Sequence, residues 1–158
     1  MIVSTPINLK ELYEIDDYLW IQETVKLLKE KKFNELDLDN LIEELDDVGK
    51  ERRKKVESLL EQIIRHLLLF QYWHEERDRC YRHWQGEIFS FRRQLKKDLT
   101  TNFYNYLSQE LANIYDDAWG YVTRKSGLKN LPEKCPYTLE ELLDENWLPD
   151  INESGSIE

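Results

Sequence analysis

Cysteine, glycine and proline are rare in this chain of 158 residues, and each shortage excludes a class of protein. The two cysteines, Cys80 and Cys135, are too few and too far apart for a secreted disulfide framework or a thiolate zinc site. Five glycines and four prolines argue against a collagenous, low-complexity or turn-rich all-β chain. The composition therefore favours helices in a protein that needs neither metal nor disulfide to fold.

Long apolar runs are also missing. No run approaches the roughly 20 residues that a membrane-spanning helix needs, and residues 1 to 6 lack the charged and apolar regions of a signal peptide. We therefore expect a cytoplasmic protein that does not bind a membrane. A chain of this length is typical of one domain, which buries about 68–70% of the surface of its unfolded chain.

Charge is unevenly distributed along the chain, although its total is −10. Residues 1 to 50 carry 6 basic and 13 acidic side chains (−7), residues 51 to 100 carry 12 and 8 (+4), and residues 101 to 158 carry 4 and 11 (−7). We expect the two acidic flanks to neutralise the basic middle in the folded protein. The same asymmetry is also typical of a surface that binds a partner.

Hydrophobic periodicity predicts an all-α protein. Apolar residues recur at steps of three and four in four segments, and no segment alternates as a strand does. We predict an antiparallel helical bundle of four main helices plus a short C-terminal helix. In this interpretation residues 1–12 are a weakly ordered arm, residues 13–150 form a single helical-bundle domain, and residues 151–158 are a flexible tail.

The first two predicted helices each carry an apolar stripe that we expect to pack in the core. The second helix continues through Gly49 because its stripe keeps phase there, and residues 72 to 82 are interpreted as a connection. The stripes contain Ile15, Tyr18, Ile21, Val25 and Leu28 in the first helix, and Leu41, Leu45, Val48, Arg52, Val56, Leu59, Ile63, Leu67 and Phe70 in the second.

Capping residues predict the ends of the other helices. Asp16 caps the first helix, and the run from Thr100 to Asn102 predicts a helix start. Gly127 suits the left-handed residue that follows a helix. Thr138 and Glu141 have the spacing of a capping box, which predicts the short C-terminal helix.

Four strings in the chain resemble a known family. They are residues 13 to 20 (YEIDDYLW), 36 to 45 (LDLDNLIEEL), 66 to 72 (HLLLFQY) and 135 to 144 (CPYTLEELLD), the last followed by Trp147-Leu148-Pro149. Together they resemble the bacterial domain-of-unknown-function family twenty-nine over about residues 13 to 150. The resemblance implies a small all-helical bacterial protein with no established activity, so it supplies no catalytic residues.

The sequence contains few residues in patterns typical of a metal site or a catalytic nucleophile. Di-metal bundles use Glu-x-x-His, and none of His66, His74 and His83 follows a glutamate at that spacing. A looser metal site from His74, His83, Cys80 and nearby acidic side chains is one alternative, and it implies a metal-dependent enzyme. We otherwise expect no cofactor and no enzymatic activity, since no catalytic motif is present.

A second alternative is binding of single-stranded nucleic acid through residues 77 to 97. Cations there are interleaved with aromatic rings, the combination that binds phosphates and stacks bases. Its candidate residues are Arg77, Arg79, Arg92 and Arg93. The acidic pI of about 4.9 argues against nucleic acid as the partner.

The remaining interpretation is a non-enzymatic protein–protein interaction module, such as an adaptor or an antitoxin-like partner. Acidic faces favour a basic protein as the partner. Trp20, Trp119 and Tyr121 fall off or at the edge of the apolar stripes, together with Tyr104. These aromatic side chains either form a patch for a partner or for self-association, or widen the core, which we prefer.

Overall fold

The computed structural model describes residues 8 to 151, and in this range the chain is helical throughout apart from its connections. No residue of the range lies in a strand, so the all-α prediction is confirmed there, while the antiparallel four-helix bundle stays a prediction. The helices are α1 (Leu9–Ile15), α2 (Asp17–Lys29), α3 (Leu38–Tyr72), α4 (His74–Asp98), α5 (Thr101–Ser126) and α6 (Leu139–Leu143), with a 3₁₀ turn at Phe33–Glu35.

The described residues form two compact units, residues 8 to 51 (the first unit) and residues 52 to 151 (the second unit). Helix α3 contributes its first part to one unit and its longer second part to the other. The predicted arm differs from the structure over residues 9 to 12, which lie in α1 because Asn8 accepts a hydrogen bond from the backbone of Glu11 and caps the helix. Residues 1–7 of the arm and 152–158 of the tail lie outside the described range.

Asp16 separates α1 from α2 and serves both helices. Its extended backbone ends α1, and its side chain accepts the backbone N–H of Leu19 at 3.0 Å, which confirms it as the N-cap of α2. Helix α2 ends where Lys31 takes a left-handed conformation with φ of 59° and donates its N–H to the carbonyl of Leu28.

The small core of the first unit is built around Trp20, which is 1% exposed. Its indole Nε1 donates to Oδ2 of the buried Asp37 at 3.3 Å, and Asn40 Nδ2 donates to the same oxygen at 2.6 Å. The ring of Tyr13 stands edge-on to Trp20, with 5.0 Å between the centroids. This polar and aromatic network therefore holds α1, α2 and the start of α3 together.

The core of the second unit is centred on the second half of α3. From Val56 to Phe70 the predicted stripe is buried, and Leu67 is 0% exposed, so this part of the second stripe is confirmed. The stripe has neighbours on more than one side because α4, α5 and α6 all contribute to the same cluster. These contributions are Trp84, Ile88 and Leu95 of α4, Leu107, Ile114, Tyr115, Ala118 and Val122 of α5, and Leu139 and Leu142 of α6.

The predicted connection over residues 72 to 82 is wrong. Only Trp73 separates α3 from α4, which begins at His74. Arg77 makes this sharp junction possible, since its guanidinium donates to the carbonyls of Phe70 at 2.8 Å and Gln71 at 2.6 Å and so satisfies acceptors at the end of α3. The many charged side chains of this segment interrupt the apolar spacing from which a helix is predicted.

The other predicted ends are confirmed. Thr100 accepts the N–H of Phe103 at the start of α5, Gly127 ends that helix with φ of 72°, and Thr138 with Glu141 forms the capping box of α6. Helix α3 continues through Gly49 as predicted. Among the described helices we find none whose length and apolar composition would allow it to cross a membrane.

Candidate protein-interaction surface

The apolar stripe of α2 faces solvent, contrary to the prediction that it packs in the core. Tyr18, Ile21, Val25 and Leu28 are 40% to 68% exposed, and Ile15 beside them is exposed as well. The buried side of α2 carries Trp20 and Thr24 instead. At 100° per residue these two lie about 100° around the helix from the stripe, so α2 has a covered side and a separate apolar side that is not covered.

The first part of α3 repeats this arrangement. Leu38, Ile42, Leu45 and Val48 are 41% to 63% exposed, which contradicts the predicted packing of Leu45 and Val48. The covered side of this segment carries the buried Asp37 and the half-buried Leu41. We call the four exposed residues here and the four of α2 the apolar face of the first unit.

The outer edges of the apolar face carry opposite charges. Lys26 and Lys29 are exposed beside the stripe of α2. Asp39 and Asp46 are exposed beside the stripe of α3, whereas the exposed Glu43 lies on the far side of that helix. Within the first unit Lys10 Nζ lies 3.6 Å from Asp39 Oδ2, but both side chains are mostly exposed, so this pair is weak.

Tyr13 ties α1 to α3 at the margin of this region. Its hydroxyl donates to Glu44 Oε1 at 2.6 Å. The hydrogen bond to Glu44, with smaller contributions from desolvation and from the charges of Glu44, Glu43 and Asp47, raises the pKa of Tyr13 to about 12. Glu44 is therefore occupied within the chain and Asp39 has its weak pair with Lys10, whereas Glu43 and Asp46 are exposed.

The predicted aromatic binding residues do not form one patch. Trp20 is buried, which corrects its selection as a surface residue, because its indole supplies the core of the first unit. Trp119 is half-buried and packs against the core of the second unit. Tyr121 is exposed, with the guanidinium of Arg65 stacked 3.8 Å from its ring centroid. Trp20 and Trp119 therefore fit the interpretation that these aromatic side chains widen the core, and not the interpretation that they form a binding patch.

Two of the four candidate arginines for nucleic acid are used inside the fold. Arg77 caps α3, as described above, and Arg92 is only 2% exposed. The guanidinium of Arg92 donates to the carbonyls of Glu141, Leu142 and Trp147. The prediction that Arg77 and Arg92 bind nucleic acid is therefore wrong, since a guanidinium that donates its hydrogen bonds to backbone carbonyls is not available to a phosphate. Arg79 and Arg93 are exposed, near Glu76 and Glu145 respectively.

The structure does not bring the metal candidates together. His74 and His83 lie on the same helix nine residues apart, which is about 13 Å along its axis and too far for a shared ion. Between residues 8 and 151 no three His, Cys, Asp or Glu side chains are grouped in a way that suits a metal. Cys80 is half-buried on the same helix.

His66 and Cys135 have environments typical of structural residues. Burial lowers the pKa of His66, whose Nδ1 lies 2.7 Å from the carbonyl of Gln62 and whose ring contacts Phe91. Burial raises the pKa of the Cys135 thiol, which lies at a groove of about 450 Å³ beside Tyr115 and Tyr137. A raised pKa keeps the thiol protonated, and a protonated thiol is a poor nucleophile.

Comparison with known proteins agrees with the resemblance seen in the sequence. Residues 12–148 match the family model described as "Domain of unknown function DUF29". The chain belongs to this family. No curated protein and no solved structure matches the chain. Membership supports the all-helical fold of this DUF29 protein and assigns it no activity, so the candidate surface rests on the geometry described above.

Two residues of the apolar face, Leu38 and Ile42, were absent from the predicted stripes. The signal for them was present, because positions 38, 42 and 45 follow the i, i+4, i+7 spacing of one helix side. A stripe that begins at Leu41 lies one residue away from the apolar side that the structure shows. Periodicity gave the correct helix but not the side that is covered.

Proposed function

We propose that this DUF29 protein is a non-enzymatic protein–protein interaction module, an adaptor or antitoxin-like protein, that binds through the apolar face of its first unit. The observation that carries the proposal is the exposure of eight large apolar side chains on α2 and the first part of α3. Exposed apolar area of this extent is typical of binding surfaces.

The proposal includes two finer predictions from the sequence, antiparallel packing of consecutive helices and a cytoplasmic location. In an antiparallel pair the stripes of α2 and α3 turn to the same side, since each lies beyond the covered side in the direction of the chain, by roughly 100° in α2 and roughly 65° in α3. Eight half-exposed side chains leave on the order of 800 Å² there, compared with about 300–600 Å² for the largest patch of a typical monomer.

The face suits a helical partner. In the antiparallel arrangement that we propose, the apolar residues of the two helices, at steps of three and four, form two ridges with a groove between them that an apposed helix fills. No specific observation favours binding of nucleic acid, because the guanidinium groups of Arg77 and Arg92 donate hydrogen bonds to backbone carbonyls of the protein itself. A basic protein partner, expected from the acidic flanks, stays a prediction.

Photo-cross-linking in cells of the native host tests this function. A photoreactive amino acid replaces Leu45 on the apolar face, and in a matched control it replaces the exposed Asn105 of α5. We expect a discrete protein adduct at position 45 and none at position 105. No adduct at position 45, or the same adducts at both positions, would overturn the proposal.

A further inference from the structure

We infer that a cavity where α4 meets α5 in the second unit binds the phosphate group of a small organic phosphate ester. The cavity has a volume of about 390 Å³, within the range of about 300–1,000 Å³ that is typical of small-molecule sites. Its wall is formed by Arg52, Lys55, Lys97, Asp98, Thr100 and Phe103. All six residues belong to the second unit, so the inference goes beyond the apolar face and does not depend on it.

The cavity carries an excess of positive charge. Three cations line it together with one carboxylate, and Lys55 Nζ lies 2.8 Å from Asp98 Oδ2, so these two charges neutralise each other. Among residues 8 to 151 neither Arg52 nor Lys97 forms an ion pair with a carboxylate. Carboxylates are abundant in a chain of net charge −10, yet this cavity retains two positive charges. Such an excess in a concave site attracts an anion from outside the chain.

The fold collects these cations from two helices. Arg52 and Lys55 lie one turn apart on α3, so their side chains leave the same side of that helix. Lys97 comes from the last turn of α4. The neighbouring Arg53 has a different role, because its guanidinium lies over the ring of Tyr106, 4.6 Å from the centroid. The cations that line the cavity are therefore a specific subset of the basic run in α3.

The helix ends at the cavity do not select the charge of the ligand. Helix α4 ends at Asp98 and α5 begins at Thr101, so the negative end of one helix dipole lies beside the positive end of the other. The two effects offset each other, and selection rests on the side chains. Thr100 adds a donor, because its Oγ1 accepts the N–H of Phe103 at 3.1 Å and its hydroxyl hydrogen can donate to a phosphate oxygen.

A phosphate monoester matches this set of groups. At about pH 7.5 it carries nearly two negative charges, which equals the excess at the cavity. A guanidinium such as that of Arg52 donates two parallel hydrogen bonds to phosphate oxygens, and an ammonium such as that of Lys97 adds a point charge. The half-buried ring of Phe103 supplies an apolar wall for the organic part of the ester.

Isothermal titration calorimetry of the full chain with phenyl phosphate, at about pH 7.5 and low salt, tests the site. We expect saturable binding at one site in the wild type. Arg52→Gln with Lys97→Gln should weaken this binding at least about tenfold, because it removes both excess charges. Both positions are exposed, so the variant should fold, which far-UV circular dichroism checks.

Arg79→Gln with Lys96→Gln is the matched control. It removes the same charge from two exposed residues of α4 that do not line the cavity, and it should change the affinity less than about threefold. Absence of binding to the wild type, or equal losses in the two double variants, would overturn the site.

Two further titrations identify the class of ligand. Inorganic phosphate should bind several-fold more weakly than phenyl phosphate, and Phe103→Leu should reduce this difference, because the ring contacts only the organic part. Equal affinities of the wild type for the two probes would overturn the assignment to an ester. A single-stranded oligothymidylate of about ten nucleotides should not compete with phenyl phosphate. Competition that is lost with Arg52→Gln and Lys97→Gln would assign these cations to a nucleic-acid backbone and overturn the small-molecule site.

Discussion

The guanidinium of Arg92 donates its Nε–H to the carbonyl oxygen of Leu142 at 2.8 Å, although 50 residues separate the two in the chain. Leu142 lies in the last turn of α6, where carbonyl groups lack partners within the helix. Arg92 therefore replaces the missing donors of a helix of five residues and fixes it to α4. One side chain thereby connects helix capping to tertiary packing.

Arg92→Met should destabilise the protein by about 2–4 kcal/mol, because it removes charge-assisted hydrogen bonds and leaves buried carbonyls without donors. Arg93→Met is the matched control, since Arg93 is exposed and lies 3.4 Å from Glu145; it should cost less than about 1 kcal/mol. Urea unfolding measures both. Equal losses for the two variants would contradict the capping role.

Leu67→Ala should cost about 2–5 kcal/mol, because Leu67 lies at 0% exposure in the core of the second unit and its truncation leaves a cavity. Leu19→Ala removes the same atoms from a side chain that is 40% exposed and lies outside the apolar face. We expect a loss below about 1 kcal/mol there. Thermal unfolding of both variants is the measurement, and a small loss for Leu67→Ala would show that this core is misplaced.

Gly127→Ala should destabilise the protein by about 1 kcal/mol, because position 127 has φ of 72° and an L side chain is strained there. No atom lies near the added Cβ, so backbone conformation alone causes the loss. Gly86→Ala in α4 meets equally open space in a right-handed helix and should stabilise by about 0.5–1 kcal/mol. Chemical denaturation should therefore show opposite signs, and a shared sign would refute this explanation.

His66 should make stability depend on pH. Burial lowers the pKa of His66 in the folded protein below the value of about 6.5 in the unfolded chain, so the unfolded state binds the proton more readily. Stability is then full above about pH 6.5, falls as the pH drops below it, and levels off below the folded pKa.

His66→Gln should flatten this part of the stability profile. Urea unfolding at several pH values between about 5 and 7.5 gives the slope for each variant. His74→Gln, at the exposed first residue of α4, is the control and should retain the wild-type slope. A wild-type slope in His66→Gln would assign the pH dependence to other groups.

Local signals predicted much of the secondary structure. Asp16, Thr100, Gly127 and Thr138 each act through hydrogen bonds or backbone angles within a few residues, so their roles follow from the sequence near them. The junction at Trp73 was missed because its cap comes from Arg77, a side chain one turn into the next helix. Capping by a long side chain leaves no fixed spacing to recognise.

The candidate surface depended on information that periodicity does not contain. Apolar residues at steps of three and four state which residues share a side of a helix, not whether another element covers that side. Val25 and Leu67 belong to stripes of the same kind, yet Val25 is exposed and Leu67 is buried. Likewise Arg92 and Arg93 are adjacent in the sequence, and only the fold separates a buried cap from a surface charge.

The sequence by itself determined that this DUF29 protein is helical, where most of its helices begin and end, and which side of each helix is apolar. These properties follow from backbone hydrogen bonding and side-chain spacing within one or two turns. Only the tertiary structure decided which apolar sides are covered and which cations act inside the fold. Burial depends on contacts between residues far apart in the chain, and such contacts left the apolar face of the first unit open.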